Sequence, residues 1–366
     1  MTAPLTILGT GHAGYTLAKE WRRLMPDAPL RLITRDDGAN YYKPNISKAF
    51  ASGKDALGLV MGTAEQMAEQ LKAEVLVRTG ITRIDAAGHR LQAGDSGYEY
   101  SQLVLAVGAD PIRLPIAGNA ADAVHTVNDR EDYGRFREGL HAGAHVLLIG
   151  AGLVGSEFTN DLAASGYRVT AVDPAGWPLS RLLPEECGRA LDAALAALGV
   201  DWRWGRTVQS LESQGGPIHV TLSDGSSLQV DRVLSAVGLR PRLDLAREAG
   251  VRCDKGIVVD DFLQTSVPDI YALGDCIEIA GRPLPFILPI AHASRALAQT
   301  LSGKPVRAIF PAMPVIVKTP ACPTLVCPPP QFNGTWEVQG SAPDLEALYK
   351  DADGKPAGFA LTGAAV

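Results

Sequence analysis

Two glycine-rich turns carry the residue spacing in this chain that could do chemistry. Gly9-Thr10-Gly11-His12-Ala13-Gly14 follows the apolar run Leu5–Leu8 and precedes a helix-like run from Tyr15 to Trp21. Gly150-Ala151-Gly152-Leu153-Val154-Gly155 repeats the arrangement between the apolar run His145–Ile149 and a helical stretch, Ser156–Ser165. In a GxGxxG turn the first glycine makes the bend, the second lets backbone approach a pyrophosphate, and the third lets the helix pack on the strand. The helix N-terminus then offers unpaired N–H groups and positive dipole to phosphate oxygens. One such turn alone is also what a structural glycine bend looks like. A second copy in the same strand–turn–helix setting points to dinucleotide binding at both.

Other residues fall at spacings that fit this chemistry. An acidic residue about 20 positions past the glycines takes ribose hydroxyls. Asp36, flanked by Thr34 and Arg35, ends the second strand of the first unit and is the best candidate there, with a polar turn before Gly38 as the alternative. Asp173 ends the matching strand, Tyr167–Asp173, in the second unit. A carboxylate accepts both hydroxyls and repels a 2′-phosphate, and no cation follows Asp173 until Arg181, which favours NADH over NADPH. Glu157, just past Gly155 and in the first turn of its helix, is either favourable acidic charge near a helix N-terminus or a group at the nicotinamide. Lys43, set beside Pro44, either reaches a phosphate or electron-rich ring or stands solvated. Ile270–Cys276 is an apolar strand ending in Gly274-Asp275, which presents a carboxylate at the carboxyl end of a sheet. Phe286-Ile287-Leu288-Pro289 then opens a helix, Ile290–Leu301, whose first N–H groups again favour negative charge.

The elements that must position these groups alternate as strand and helix. The pattern predicts an α/β chain of two Rossmann-like domains, the second inserted in the first, plus a small C-terminal α+β domain. The boundaries read as 1–113 and 241–305 for the first domain, 114–240 for the second and 306–366 for the last. Helices are expected near Ala64–Leu71, Asp129–Gly139 and Pro184–Leu198, and a hairpin around Gly94-Asp95. The last section is proline-rich, with β-like runs at Val315–Val317 and Trp336–Val338.

Composition excludes several classes. A net charge of −6 gives no reason to expect nucleic acid as partner. No uninterrupted apolar run reaches the roughly 18 residues of a membrane helix, and no secretory signal pattern opens the chain. The five cysteines, at 187, 253, 276, 322 and 327, form no CxxC pair. A disulfide framework or metal site is therefore not expected, and a cytoplasmic location is.

Two GxGxxG units followed by a late Gly-Asp strand resemble the flavoproteins with two dinucleotide-binding domains. Within these, Gly9–Tyr15, Tyr42-Lys43-Pro44, Gly152–Phe158, Ser235–Pro241, Tyr271–Cys276 and above all Val317-Lys318-Thr319-Pro320-Ala321-Cys322-Pro323 are similar to bacterial rubredoxin–NAD(+) reductases. The resemblance implies FAD on the first unit and NAD on the second. Thr10, Gly11, His12 and Ala13 would line the FAD pyrophosphate, and Thr34, Arg35 and Asp36 its adenosine. Ile81 would meet the adenine through its backbone, Lys43 would approach the flavin, and Asp275 would hold the ribityl chain. Ile287 and the helix after Pro289 would face the pyrimidine side. Lys318 would close the ring site, from this chain or from a partner subunit, and Glu157 would lie at the flavin–nicotinamide junction. Related ferredoxin reductases carry an arginine near the position of Asn128, which is given no role here. The family also continues into a further helix past Val366.

The implied activity is hydride transfer from NADH to FAD and then single-electron transfer to rubredoxin. No catalytic side chain is required, and the protein would be a monomer or homodimer. A disulfide reductase of the same architecture needs two cysteines at the flavin, and none precedes Cys187. Two other readings remain. One is reduction of a different one-electron protein, a ferredoxin or flavo-di-iron partner. The other is a non-turnover FAD/NAD redox sensor.

Overall fold

A computed structural model describes residues 3–284 and 286–366. Taken in chain order, the first elements are β1 (Leu5–Leu8), α1 (His12–Leu24), β2 (Leu30–Ile33), α2 (Ala64–Leu71), β3 (Glu74–Leu76) and β4 (Gln102–Leu105). There follow β5 (Val124–Thr126), α3 (Arg130–Glu138), β6 (His145–Ile149), α4 (Leu153–Ala164), β7 (Arg168–Asp173), α5 (Glu185–Ala197), β8 (Asp201–Trp204) and β9 (Arg232–Ser235). The last are β10 (Ile270–Ala272), α6 (Ile287–Leu301), β11 (Val315–Val317), β12 (Thr324–Cys327), β13 (Thr335–Ser341), β14 (Asp344–Lys350) and β15 (Pro356–Thr362). The chain divides into two compact units, one of residues 1–43, 60–110 and 239–313, the other of 44–59, 111–238 and 314–366.

The first unit is built on a parallel sheet in the order β10-β4-β1-β2-β3. All four β1 residues are buried, which is why this run is almost continuously apolar. α1 buries Tyr15, Leu17, Ala18 and Trp21 and packs against α6. α2 starts on a reciprocal capping box between Thr63 and Gln66. The expected hairpin is present, with strands Arg90–Ala93 and Ser96–Glu99, and a third strand, Arg83–Asp85, pairs with it.

The second unit repeats the plan, with a parallel sheet in the order β8-β7-β6-β9-β5. A separate antiparallel sheet of Val208–Glu212, Ile218–Leu222 and Ser227–Val230 adjoins it in the chain. The C-terminal section is a five-stranded antiparallel sheet, β11-β12-β15-β14-β13. Its helical part, among the described residues, is confined to a 3-10 turn at Gly363–Ala365, so the α component expected there is smaller than the sequence suggests. α6 starts at Ile287, three residues before the expected Ile290. Pro289 is tolerated because the first four helical positions need no intrahelical donor. Among the described residues no helix is long and apolar enough to cross a membrane.

Candidate functional site

In the first unit, the glycine turn joins β1 to α1 as the spacing predicts. Gly9 has φ of +115°, and a Cβ there would stand 2.3 Å from the Ala106 carbonyl oxygen. A Cβ on Gly14 would fall 1.9 Å from the Gly9 carbonyl oxygen, so only glycine lets α1 pack this close. A Cβ on Gly11 would meet nothing within 4 Å. The mouth of the turn is thus open where a phosphate would enter. Gly11 caps α1 without a side-chain hydrogen bond, leaving its first N–H groups to a ligand. α2 and α3 differ, since Thr63 and Asp129 cap them.

Residues far apart in the chain converge on this turn. A Cβ on Gly274 would lie 2.8 Å from Ala13 Cβ, which puts the Gly274-Asp275 corner against the start of α1. Burial holds the His12 imidazole below its usual range, with the Asp275 carboxylate partly offsetting this. His12 also meets Tyr42 edge to face at 5.5 Å. Asp36 Oδ1 accepts the Thr34 hydroxyl at 2.7 Å, the Thr10 hydroxyl at 3.2 Å and the Gly38 N–H at 2.9 Å. The Arg78 and Thr79 amides donate to the Asp36 and Thr34 carbonyls, and Ile81 lies two residues further on, half-buried against the core. Arg35 pairs with Asp110 at 3.4 Å. Although burial alone would raise it, Arg242 and Arg35 hold the Asp110 carboxyl below its usual range. Lys43 begins a 3-10 turn, Lys43–Lys48, and Ile287 is the first residue of α6, whose start also lacks a side-chain cap.

The second unit reproduces the turn between β6 and α4. A Cβ on Gly155 would lie 2.0 Å from the Gly150 carbonyl oxygen, while one on Gly152 would meet nothing within 4 Å. Asp173 stands at the end of β7; its Oδ2 binds the glycine turn by accepting the Ala151 N–H at 2.7 Å, and its Oδ1 accepts the Ala175 N–H just beyond the strand at 2.8 Å. Each carboxylate oxygen keeps a second lone pair for a ribose hydroxyl. Arg206, which lies outside the local window read from the sequence, comes next to this acid. Its backbone N–H donates to the Asp173 carbonyl at 3.3 Å, while its guanidinium pairs with Asp224. At the carboxyl ends of β5 and β9 lies a groove of about 250 Å³ walled in part by Ile112, Leu114, Ile116, Thr126 and Ser235.

Glu157 does not sit in the first turn of its helix. α4 begins at Leu153, directly after Gly152, so Glu157 is a full turn inside it and 2% exposed. The local reading placed the helix start at Ser156, three residues late. The carboxylate is paired within the chain: Lys318 Nζ is 2.5 Å from Oε2, the Lys318 N–H donates to Oε1 at 3.1 Å, and the Ser47 hydroxyl donates to Oε2 at 2.6 Å. The second unit therefore brings Glu157 and Lys318 together across 161 residues of chain. Ser47, Asn160 and Asp161 belong to the same cluster and were not singled out from sequence. The available signal was Glu157, Asn160 and Asp161 at helical spacing in a helix that lacks any other charged residue, Leu153–Ala164.

All five cysteines are free thiols. Burial pushes Cys187 and Cys276 up to about 12 and raises Cys322 as well, the opposite of what a reactive thiolate needs. No group of three or more potential metal ligands gathers among the described residues.

Two parallel sheets, each opening on an uncapped glycine turn, with Asp173 ending β7 and Asp36 three residues past the end of β2 rather than on it, define the two-dinucleotide-fold class of oxidoreductase. Residues 3–300 match the family described as pyridine nucleotide-disulphide oxidoreductase, and the chain belongs to that family. Residues 307–366 match the rubredoxin binding C-terminal domain. The chain is 44% identical over 365 residues to a rubredoxin-NAD(+) reductase of Alcanivorax borkumensis, covering 99% of this chain and 96% of the relative. It is 38% identical over 363 residues to a nitric oxide reductase FlRd-NAD(+) reductase of Vibrio vulnificus, covering 99% and 95%. Among solved structures, the covalent putidaredoxin reductase–putidaredoxin complex superposes with a TM-score of 0.90 at 26% identity, covering 99% of this chain and 90% of that one.

Proposed function

We propose that the protein is an FAD-dependent NADH:rubredoxin oxidoreductase. One observation carries this reading. The C-terminal section, matched along its length to a rubredoxin binding domain, delivers Lys318 onto Glu157, two residues past the second glycine turn. An acceptor-side domain and a nicotinamide-side helix thus share one ion pair.

The open first turn, with its uncapped helix start, fits the pyrophosphate of FAD. In this reading Gly9, Thr10, Gly11, His12, Ala13 and Gly14 hold the pyrophosphate, and Thr34, Arg35 and Asp36 hold the adenosine ribose. Ile81 meets the adenine through its backbone. Asp275 accepts ribityl hydroxyls, and the N–H groups from Ile287 onward face the pyrimidine edge, with Lys43 and Lys318 as the cations at the ring. Gly150, Gly152 and Gly155 cradle the NADH pyrophosphate, and Asp173 takes its ribose hydroxyls. Bound FAD supplies the conversion from a two-electron hydride donor to a one-electron protein acceptor. The chain's own residues bind, orient and set potential. Helix starts and Lys318 present positive charge where electron density accumulates, and no side-chain nucleophile or general acid is needed.

The domains assigned are 1–113 and 241–305 for FAD, 114–240 for NADH and 306–366 for the acceptor. The reading locates the protein in the cytoplasm, where five free cysteines stay reduced. The Vibrio relative favours a second reading in which the acceptor is the rubredoxin-like part of a nitric oxide reductase.

The test is to load the purified chain with FAD and add NADH without oxygen. Rapid bleaching of the flavin and steady NADH oxidation with ferricyanide are expected. Tight FAD binding without turnover would replace the enzyme reading with the sensor.

A further inference from the structure

Five polar side chains of α4 are almost completely buried, and three of them, Glu157, Asn160 and Asp161, at 2%, 4% and 3% exposure, accept hydrogen bonds from other segments. Their spacing of three and four residues puts them on one helix face. Each directs its oxygens at another segment of the same unit. Asp161 Oδ2 accepts the Phe50 N–H at 2.9 Å and Oδ1 the Ala51 N–H at 3.0 Å. Asn160 Oδ1 accepts the Ala321 N–H at 3.1 Å. Glu157 takes the Lys318 N–H and ammonium and the Ser47 hydroxyl. Residues 44–59 and the stretch around Lys318 are therefore fastened to one helix, and the Lys318–Glu157 pair is held from both.

A helix face that only filled volume would be apolar, because burying unpaired acceptors is costly. Acceptors aimed at successive backbone donors instead fix where those segments stand. We propose that Ser47, Asn160 and Asp161 are positioning residues for hydride transfer, locking the Lys318–Glu157 pair in place relative to the turn that binds the nicotinamide dinucleotide. The inference rests on the function proposed above. Asn160 and Asp161 hold the segments that bring Lys318 and Ser47. Ser47 sets the charge balance, since its hydroxyl shares Glu157 Oε2 with the Lys318 ammonium. Without that donor the ammonium is drawn further onto the carboxylate, and less positive potential remains for an electron-rich ring.

Asp161 adds a pH dependence. It faces the Phe50 and Ala51 amides, Arg137 and Tyr133 from α3, and Glu157 from its own helix. Burial pushes its carboxyl up to about 6, with Glu157 reinforcing this and the two amides and Arg137 opposing it. When it is protonated, one oxygen becomes a hydroxyl, a poorer acceptor, and the grip on residues 50 and 51 loosens.

The test uses the FAD-loaded full chain, reduced by NADH in an anaerobic stopped-flow instrument between pH 5 and 8. Ser47→Ala is expected to slow flavin reduction about tenfold, the scale of one hydrogen bond to a charged acceptor. The KM for NADH should change by less than about twofold. The flavin midpoint potential should fall, and Ser47→Thr should restore both rate and potential. Asp161→Asn should abolish the drop in rate that the wild type shows as pH falls through about 6. Ser52→Ala, whose hydroxyl donates to the Ala49 carbonyl on the same segment, is the control and should leave the rate unchanged. Ser47→Ala removes a single oxygen, so it carries the test even where Asp161→Asn fails to fold. A Ser47→Ala protein with wild-type rate and midpoint potential, measured against a wild type that NADH does reduce, overturns this inference alone. A wild type that NADH does not reduce overturns the proposed function with it.

Discussion

In the proposed function, Asp173 is the residue on which nucleotide choice turns. Its Oδ2 holds the glycine turn through the Ala151 amide, while its Oδ1 takes the Ala175 amide just past β7. Asp173→Ser combined with Pro174→Arg should raise kcat/KM for NADPH at least about tenfold relative to NADH, one replaced charge interaction's worth. Unchanged NADPH turnover would remove Asp173 from the ribose site. The guanidinium of Arg206, whose backbone bonds to Asp173, is paired with Asp224. Asp161 gives the second prediction at this scale. Burial raises its carboxyl to about 6, well above the ordinary range for an aspartate, so its contribution to stability is full below about pH 4 and lost as pH rises through about 6. The loss is on the order of 3 kcal/mol. Wild type should therefore lose Tm relative to Asp161→Asn between pH 4.5 and 7.5, and a gap that stays constant would contradict the assignment. The glycines and their acids were legible in sequence because their spacing is local. The partners of Glu157 were not. Ser47 and Lys318 lie 110 and 161 residues away, and no periodicity encodes such a meeting.

At the scale of elements, strand–turn–helix units read well from the sequence because buried parallel strands are short apolar runs bounded by glycine. Helix starts read less well. α4 and α6 begin earlier than expected because glycine and phenylalanine stand at their N-cap positions, where a polar cap is the usual signal. The C-terminal sheet was only partly legible. β14, Asp344–Lys350, alternates buried and exposed positions, yet it carries alanine and acidic residues that disfavour strands, so tertiary pairing with β13 and β15 overrides local preference. The tight approach inside the second glycine turn offers a direct probe. Gly155→Ala places a Cβ 2.0 Å from the Gly150 carbonyl oxygen, and backbone there has no room to give. It should cost about 1–3 kcal/mol and raise the KM for NADH, while FAD content stays at the wild-type level because the first turn is untouched. A wild-type KM for NADH in this variant would mean that the turn does not bind the nucleotide.

For the whole molecule, two copies of one binding plan divide the labour between two dinucleotides. In the proposed function the acid at Asp173 assigns NADH to the second copy and leaves the first for FAD. The compact second unit gathers residues 44–59, the inserted glycine unit and the C-terminal sheet, although these are three separate stretches of chain. That grouping could not be read from the sequence, because it depends on buried polar bonds from α4. The net charge of −6 carries no information about the acceptor, so recognition must come from local surface. The most direct test is therefore an acceptor panel. Enzyme reduced by NADH is mixed in a stopped-flow instrument with rubredoxin, with the rubredoxin-like domain of a nitric oxide reductase and with an unrelated ferredoxin. The account predicts that rubredoxin is reduced faster than the ferredoxin by well over tenfold at equal concentration, a difference of more than about 1.4 kcal/mol in barrier. Reduction of rubredoxin no faster than of the ferredoxin would contradict it.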